Sequence, residues 1–154
     1  MSMKKAFTMI ELVFVIVILG ILSAVAFPKL SGVLKDANYA SALATVSSLR
    51  TAIVNERQSN LIKGNASFPP ILDEAGTGEH EKLFDGNGTI NILQYPVYSK
   101  SKMGGWMKTT DNSGTTIGYK YYINDATTVD FNYTKSTGVF DCNHALPDCR
   151  EISE

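Results

Sequence analysis

The chain has 154 residues, a formal net charge of −1 and 44% hydrophobic residues. This length suffices for one compact domain. The nearly neutral charge, with basic residues scattered along the sequence, gives no electrostatic case for a nucleic-acid partner. The hydrophobic residues are unevenly distributed, because an almost unbroken apolar run occupies residues 7–27.

The apolar run has the length of a membrane-spanning helix. Residues 7–27 would extend about 31 Å as a helix, which matches a hydrocarbon core of about 30 Å. Lys4 and Lys5 precede the run, and no cluster of positive charge follows it closely. The positive-inside rule therefore places the leader in the cytoplasm and the rest of the chain across the membrane.

Two ordinary interpretations of this run are a plain transmembrane anchor and a cleavable secretory signal peptide. Ala24-Val25-Ala26 fits the small-x-small rule for signal cleavage. Glu11 argues against both interpretations. A carboxylate within a spanning helix costs about 2.5–3.5 kcal/mol on insertion scales, and such residues usually have a partner and a function.

A third interpretation accounts for Glu11. The segment around it reads Lys4-Lys5-Ala6-Phe7-Thr8-Met9-Ile10-Glu11-Leu12. It resembles the processing site of type IV prepilins and type II secretion pseudopilins, although Ala6 stands where the family usually has Gly. The resemblance implies that a prepilin peptidase cuts between Ala6 and Phe7 and methylates the new amine of Phe7. Gly20 and Pro28 fall where the family commonly has Gly and Pro, and Pro28 would kink or loosen the helix.

The resemblance also implies a role for Glu11 in assembly. Cleavage exposes a charged amine on Phe7, and a buried carboxylate needs a cation or a proton. Glu11 of an incoming subunit would pair with the amine of a neighbour, whereas a pair with Phe7 of its own helix is the alternative. The implied partners are other copies in a helical filament, the prepilin peptidase, the membrane, and an inner-membrane assembly platform with its ATPase.

Helical character continues over residues 29–60 with two apolar faces. The earlier face is rich in small residues, as close helix contacts prefer, and comprises Leu30, Val33, Leu34, Ala37, Ala40 and Ala44. The later face comprises Ala42, Val46, Leu49 and Ile53. We expect the earlier face to pack against other subunits and the later face against the chain's own sheet. A single curved helix wrapped by one core is the alternative.

A stop signal and a long connection follow. Lys63-Gly64 and Pro69-Pro70 predict the end of the helix. Residues 73–94 read as a partly ordered connection with an anchor at Leu83-Phe84 and a local negative charge. Its acids are Asp73, Glu74, Glu79, Glu81 and Asp85. The turn at residues 85–89 resembles the opening of a calcium loop but lacks the following glycine and a final acid, so calcium is one interpretation and a solvated turn is the other.

In the last third of the chain, apolar and polar residues alternate with a period of two, which is typical of β-strands. One predicted strand places Ile117, Tyr119, Tyr121 and Ile123 on one face, and the next places Val129, Phe131 and Tyr133 there. Trp106 is assigned to a preceding strand and residues 137–141 to a short last one. The predicted fold is α+β, with a long N-terminal helix, membrane-spanning in its first half, packed on a small antiparallel β-meander head. The expected divisions are a leader at residues 1–6, an assembly helix at 7–28, and the amphipathic helix and head at 29–154.

The two cysteines of the chain are Cys142 and Cys149. They are expected to pair if the head lies in an oxidising compartment, and many type IV pilins have a C-terminal disulfide loop. The alternative is a metal site of Cys142, His144 and Cys149, with Asp141 or Asp148 assisting. Asn87 and Asn132 lie in Asn-x-Thr motifs, each with an acid two residues before the Asn, which resemble the extended acceptor of some bacterial N-glycosylation systems.

The sequence predicts a structural role for the chain. No nucleophile–base pair, phosphate loop or acid dyad stands out, so we expect neither catalysis nor a cofactor. The leading hypothesis is a type IV pilus subunit, serving adhesion, motility or DNA uptake, whose head is periplasmic before assembly. The alternatives are a pseudopilin of a type II secretion system and a membrane-anchored adhesin that does not polymerise.

Overall fold

The computed structural model describes residues 7–154, apart from the side chains of residues 28–31. Two compact units are present: one ends at Asp36, and the other, Ala37–Glu154, is called the head. The described helices are α1 (Met9–Ile62) and α2 (Pro147–Ser153). The described strands are β1 (Lys82–Leu83), β2 (Val97–Tyr98), β3 (Gly105–Lys108), β4 (Thr116–Tyr122), β5 (Thr128–Thr134) and β6 (Val139–Cys142).

Within the head, α1 buries the later of its two apolar faces. Ala42, Val46, Leu49 and Ile53 recur every three or four residues and are at most 1% exposed. They belong to the same core as the sheet residues, which confirms the predicted packing. The small residues of the earlier face that lie in the head, Ala37, Ala40 and Ala44, are exposed. The head's own core therefore does not use them.

The end of α1 is a Schellman motif. The Asn65 amide donates to the Asn60 carbonyl at 2.8 Å, and the Gly64 amide donates to the Leu61 carbonyl at 3.0 Å. Gly64 has a φ of 82°, a left-handed conformation that costs a residue with a Cβ more than it costs glycine. The predicted stop at Lys63-Gly64 is therefore where the helix ends.

The main sheet is an antiparallel meander in the order β3-β4-β5-β6. Alternation on β4 and β5 follows the prediction, and paired core residues include Tyr119 with Phe131 and Ile117 with Tyr133. Strand β6 starts at Val139 rather than at residue 137, because residues before it form a turn in which the Gly138 amide donates to Thr134 at 2.8 Å. A Cβ on Gly138 would lie 2.0 Å from the Phe68 ring, so this turn requires glycine.

An aromatic cluster fills the space under the sheet. Phe131 and Phe140 stack with ring centroids 5.2 Å apart, and Trp106 lies 5.2 Å from Phe131. Phe84 reaches the cluster from outside the meander, with its ring 4.8 Å from Tyr119. Aromatic side chains bury large apolar areas and gain further from such offset and edge contacts. The predicted anchor at Leu83-Phe84 is confirmed, because both residues are fully buried.

One of the acids that give the connection at residues 73–94 its predicted negative charge is buried. Asp73 is not a solvated acid: its side chain is 0% exposed and accepts from Lys108 Nζ at 2.7 Å. Its second oxygen accepts from the Phe84 amide at 3.1 Å and the Tyr119 hydroxyl at 2.8 Å. Burial, together with the adjacent Asp73 carboxylate, raises the pKa of the Tyr119 hydroxyl.

Three short elements, β1, β2 and α2, were not expected from the sequence. Strands β1 and β2 form a separate two-stranded antiparallel sheet, in which Leu83 pairs with Val97. Phe84, directly after β1, has a φ of 64°, a sparsely populated conformation that surrounding contacts must hold. The bond from its amide to Asp73 supplies one such contact. Helix α2 packs Cys149 and Ile152 into the core.

Candidate assembly site

The N-terminus of α1 is closed by a capping box between Thr8 and Glu11. The Thr8 amide and hydroxyl each donate to Glu11 Oε2 at 3.2 Å, and the Glu11 amide donates to Thr8 Oγ1 at 3.3 Å. A Thr-x-x-Glu box satisfies amides that have no partner at the start of a helix. The box was not expected from the sequence, although a Thr-x-x-Glu pattern before an apolar run signals it.

Glu11 is the single charged residue in a long exposed apolar segment. Met9–Phe27 has a mean hydropathy of 2.8, and none of it is buried. By length and composition this segment can cross a membrane, a test that a signal sequence also passes. The capping box therefore holds a carboxylate at one end of a surface that water solvates poorly.

The other predicted residues of the processing region are placed only in part. Phe7 precedes α1 and is 83% exposed. Gly20 lies within α1, and among the described residues no atom outside the neighbouring helix backbone lies within 4 Å of the position a Cβ would take. Ala6 and the side chain of Pro28 lie outside the described part of the chain, so cleavage at Ala6 and a kink at Pro28 stay predictions.

The predicted disulfide joins Cys142 at the end of β6 to Cys149 in α2, with the two Cα atoms 5.8 Å apart. In this oxidised state neither sulfur is a thiolate available to a metal ion, which argues against the metal alternative for the oxidised protein. Cys149 is fully buried and Cys142 is half-buried. The disulfide therefore ties α2 to the last strand of the meander.

Arg50 of α1 holds the disulfide loop from the helix side. Its guanidinium donates to the Phe140 carbonyl at 3.1 Å, the Ser153 carbonyl at 2.7 Å and Asp141 Oδ1 at 2.9 Å. The planar guanidinium suits such multiple, fixed contacts. The Tyr39 hydroxyl of α1 donates to Asp148 in α2, so the loop is attached to α1 at two places.

His144 lies on the outer side of the same loop. Its Nε2 is 3.0 Å from Asp141 Oδ1, and its Nδ1 is 3.3 Å from Glu154 Oε1. Hydrogen bonding to Asp141 and then to Glu154 raises the pKa of the His144 imidazole. The ring is exposed, and it bridges residues on either side of the disulfide.

The candidate modification and calcium residues are placed as follows. Asn87 is half-buried, and its Oδ1 accepts from the amides of Thr89 at 3.2 Å and Ile90 at 2.9 Å. Asn132 is exposed on β5, paired with Gly118 and Asp141. The Asn87 amide oxygen therefore shapes the turn, and a glycan on either residue and calcium at this turn stay predictions.

These features fit a membrane-anchored α+β protein. Residues 1–27 match the prokaryotic N-terminal methylation motif, which is the type IV pilin and pseudopilin signal. The motif supports a type IV pilin-like or pseudopilin precursor in general, a class whose members are usually structural subunits. No solved structure matches the chain.

Proposed function

We propose that the chain is a structural subunit that polymerises into a type IV pilus. In this proposal the prepilin peptidase cleaves between Ala6 and Phe7 and the new amine of Phe7 is methylated. The observation that carries the proposal is the position of Glu11, the single charged side chain of the exposed apolar segment Met9–Phe27. Such a carboxylate is costly in a lipid-embedded helix unless it serves a specific interaction.

Assembly exchanges one partner of Glu11 for another. Before assembly, the amide and hydroxyl of Thr8 stabilise the carboxylate. In the filament, the charged amine of Phe7 from a neighbouring subunit adds an opposite charge in a low-dielectric surrounding, where such a pair is much stronger than in water. The apolar surface of the helices exchanges lipid contacts for protein contacts.

The proposed topology places residues 1–6 in the cytoplasm and the head in the periplasm. Lys4 and Lys5 favour the cytoplasmic side for the leader, and the disulfide requires an oxidising compartment for the head. An inner-membrane assembly platform and its ATPase would extract the cleaved subunits from the bilayer. The finished pilus would serve adhesion, motility or DNA uptake.

A pseudopilin of a type II secretion system is the second candidate, since the matched motif is common to both classes. The disulfide-closed C-terminal loop favours the pilus, because many type IV pilins have such a loop. The location of the filament separates the two: a pilus is sheared from the cell surface, whereas a pseudopilus stays in the envelope and its loss stops export of folded proteins.

The test is filament formation by Glu11→Gln in the native host. We expect the variant to accumulate in the membrane and to be absent from sheared surface filaments, measured by immunoblot and electron microscopy. Glu151→Gln is the matched control, because Glu151 is an exposed acid of α2 and should leave filaments unchanged. Normal filament yield from Glu11→Gln would contradict the pairing of Glu11 with a neighbour.

A further inference from the structure

The disulfide loop brings together the donor groups of a metal site. A carboxylate oxygen of Asp141, a ring nitrogen of His144 and Sγ of Cys149 lie within 4.8 Å of one another. Sγ of Cys142 is bonded to Sγ of Cys149, so reduction leaves a second thiol beside the group. Zinc–ligand bonds of about 2.0–2.3 Å separate the ligand atoms of a tetrahedral site by about 3.3–3.8 Å. Small side-chain movements therefore bring these groups to zinc spacing.

The surroundings of the two polar donors are those of metal ligands. Nδ1 of His144 faces Glu154 Oε1 at 3.3 Å, while Nε2 faces the Asp141 carboxylate at 3.0 and 3.1 Å. A metal-binding histidine typically directs its second nitrogen to a carboxylate, which fixes the ring. Arg50 holds Oδ1 of Asp141 and so orients that carboxylate from the other side.

We propose that the reduced chain binds Zn²⁺ through Asp141, Cys142, His144 and Cys149. The newly made chain carries both cysteines as thiols, so this state needs no reductant. Binding displaces one proton from each thiol as two thiolate–zinc bonds form. Later oxidation by a disulfide-type oxidant takes two electrons from the thiolates, forms the Cys142–Cys149 bond and releases the ion. The loop between Cys142 and Cys149 is thus closed by Zn²⁺ in the reduced chain and by the disulfide in the oxidised chain.

The zinc site is independent of the proposed filament function, since it depends on residues 141–154 and Arg50 of the head and not on Glu11 or the apolar segment. In the reduced loop, two thiols, one imidazole and one carboxylate come together, which supplies four donor groups for one ion. Thiolate and imidazole donors prefer Zn²⁺ to Mg²⁺ or Ca²⁺. The expected ligand is therefore a borderline-soft divalent ion.

The experiment uses the full chain, purified in detergent, fully reduced with a phosphine and titrated with Co²⁺ as a spectroscopic probe. We expect one equivalent to bind with thiolate-to-cobalt charge-transfer bands and the visible bands of a tetrahedral site, and Zn²⁺ to abolish both. The oxidised chain should show neither. Absence of these bands from the reduced chain, or equal binding by the oxidised chain, would overturn the proposal.

Matched variants of the two histidines test the ligand assignment. Both His80 and His144 are exposed, and Asn tolerates the left-handed conformation that His80 adopts. His144→Asn should weaken Co²⁺ binding by at least about tenfold, whereas His80→Asn should bind as the wild type does. The fluorescence of the buried Trp106, compared with that of the wild type, verifies that the head of each variant has folded. Equal Co²⁺ binding by the two variants would contradict the site.

Discussion

Lys108 Nζ lies 2.7 Å from a carboxylate oxygen of Asp73, and neither side chain reaches solvent. Lys108 Nζ also donates to the Ala75 carbonyl at 2.8 Å and to Asn112 Oδ1 at 2.9 Å. A buried ion pair with all its hydrogen bonds made is tolerated, but a buried charge without its partner is not. The pair therefore joins the connection before β1 to the meander.

Removing one partner of this pair should destabilise the head strongly. Lys108→Met leaves the Asp73 carboxylate buried without its cation, and we expect a loss of about 3–5 kcal/mol in the free energy of unfolding. Trp106 is the one tryptophan of the chain and is 2% exposed. Its fluorescence during denaturant titration of the detergent-solubilised chain measures the loss.

Lys120→Met is the control for this measurement. Lys120 pairs with Asp130 at 3.5 Å on the outer face of the sheet, where the Asp130 side chain is 71% exposed. Exposed pairs contribute less than about 1 kcal/mol. A loss for Lys108→Met as small as that for Lys120→Met would show that the buried pair does not stabilise the head.

Arg50→Met should loosen the attachment of α2 to α1, leaving the bond from Tyr39 to Asp148. The substitution removes the three Arg50 donors that bind the Phe140 carbonyl, the Ser153 carbonyl and Asp141 Oδ1. We expect the free energy of unfolding to fall by about 1–3 kcal/mol. Amide hydrogen exchange in α2 should accelerate. Arg57→Met is the control, because the Arg57 guanidinium packs over the Phe68 ring at 4.4 Å and, within the described part of the chain, forms no hydrogen bond or ion pair with α2. If amide exchange in α2 were unchanged in Arg50→Met, the Arg50 contacts would not hold α2 in place.

Loss of the disulfide should also destabilise the head. The closed loop spans a sequence separation of 7, and the chain-entropy estimate for a loop of this size is about 2.5 kcal/mol at 25 °C. Cys142→Ser/Cys149→Ser, measured by Trp106 fluorescence with a chelator present, should show this loss relative to the oxidised chain. Identical unfolding midpoints and slopes would mean that α2 is held by its other contacts alone.

Two substitutions separate prepilin processing from signal-peptide processing. Ala6→Gly restores the residue that the family usually has before the cut, so the ratio of mature to precursor protein should rise or stay the same. Ala26→Leu breaks the small-x-small pattern that a signal peptidase reads and should leave the cleavage position unchanged. A block of maturation by Ala26→Leu, seen by immunoblot and mass spectrometry, would contradict prepilin processing.

The sequence predicted features that depend on local periodicity. The apolar residues of the buried face of α1, from Ala42 to Ile53, recur every three or four residues. Those of β4 and β5, from Ile117 to Tyr133, recur every two, so the spacing alone predicts which side chains are buried. Gly64 at the helix end has an equally local cause, since only a few residues decide whether a left-handed cap forms.

Features that depend on distant partners could not be predicted in this way. Asp73 and Lys108 are 35 residues apart, and nothing near Asp73 distinguishes it from the neighbouring exposed acids. The contacts of Arg50 with Phe140 and Asp141 span 90 and 91 residues of the chain. Helix α2 has only 7 residues, too few for periodicity to reveal, although Pro147 suits a first helical position.

Prepilin processing is tested most directly by the intact mass of the mature protein, isolated from its native membrane without reductant. We expect loss of residues 1–6, addition of one methyl group at Phe7 and the absence of two hydrogens for the Cys142–Cys149 bond. Loss of residues 1–26 instead would identify a conventionally secreted protein. Glu11 would then be absent from the mature chain, and the proposed filament function would be wrong.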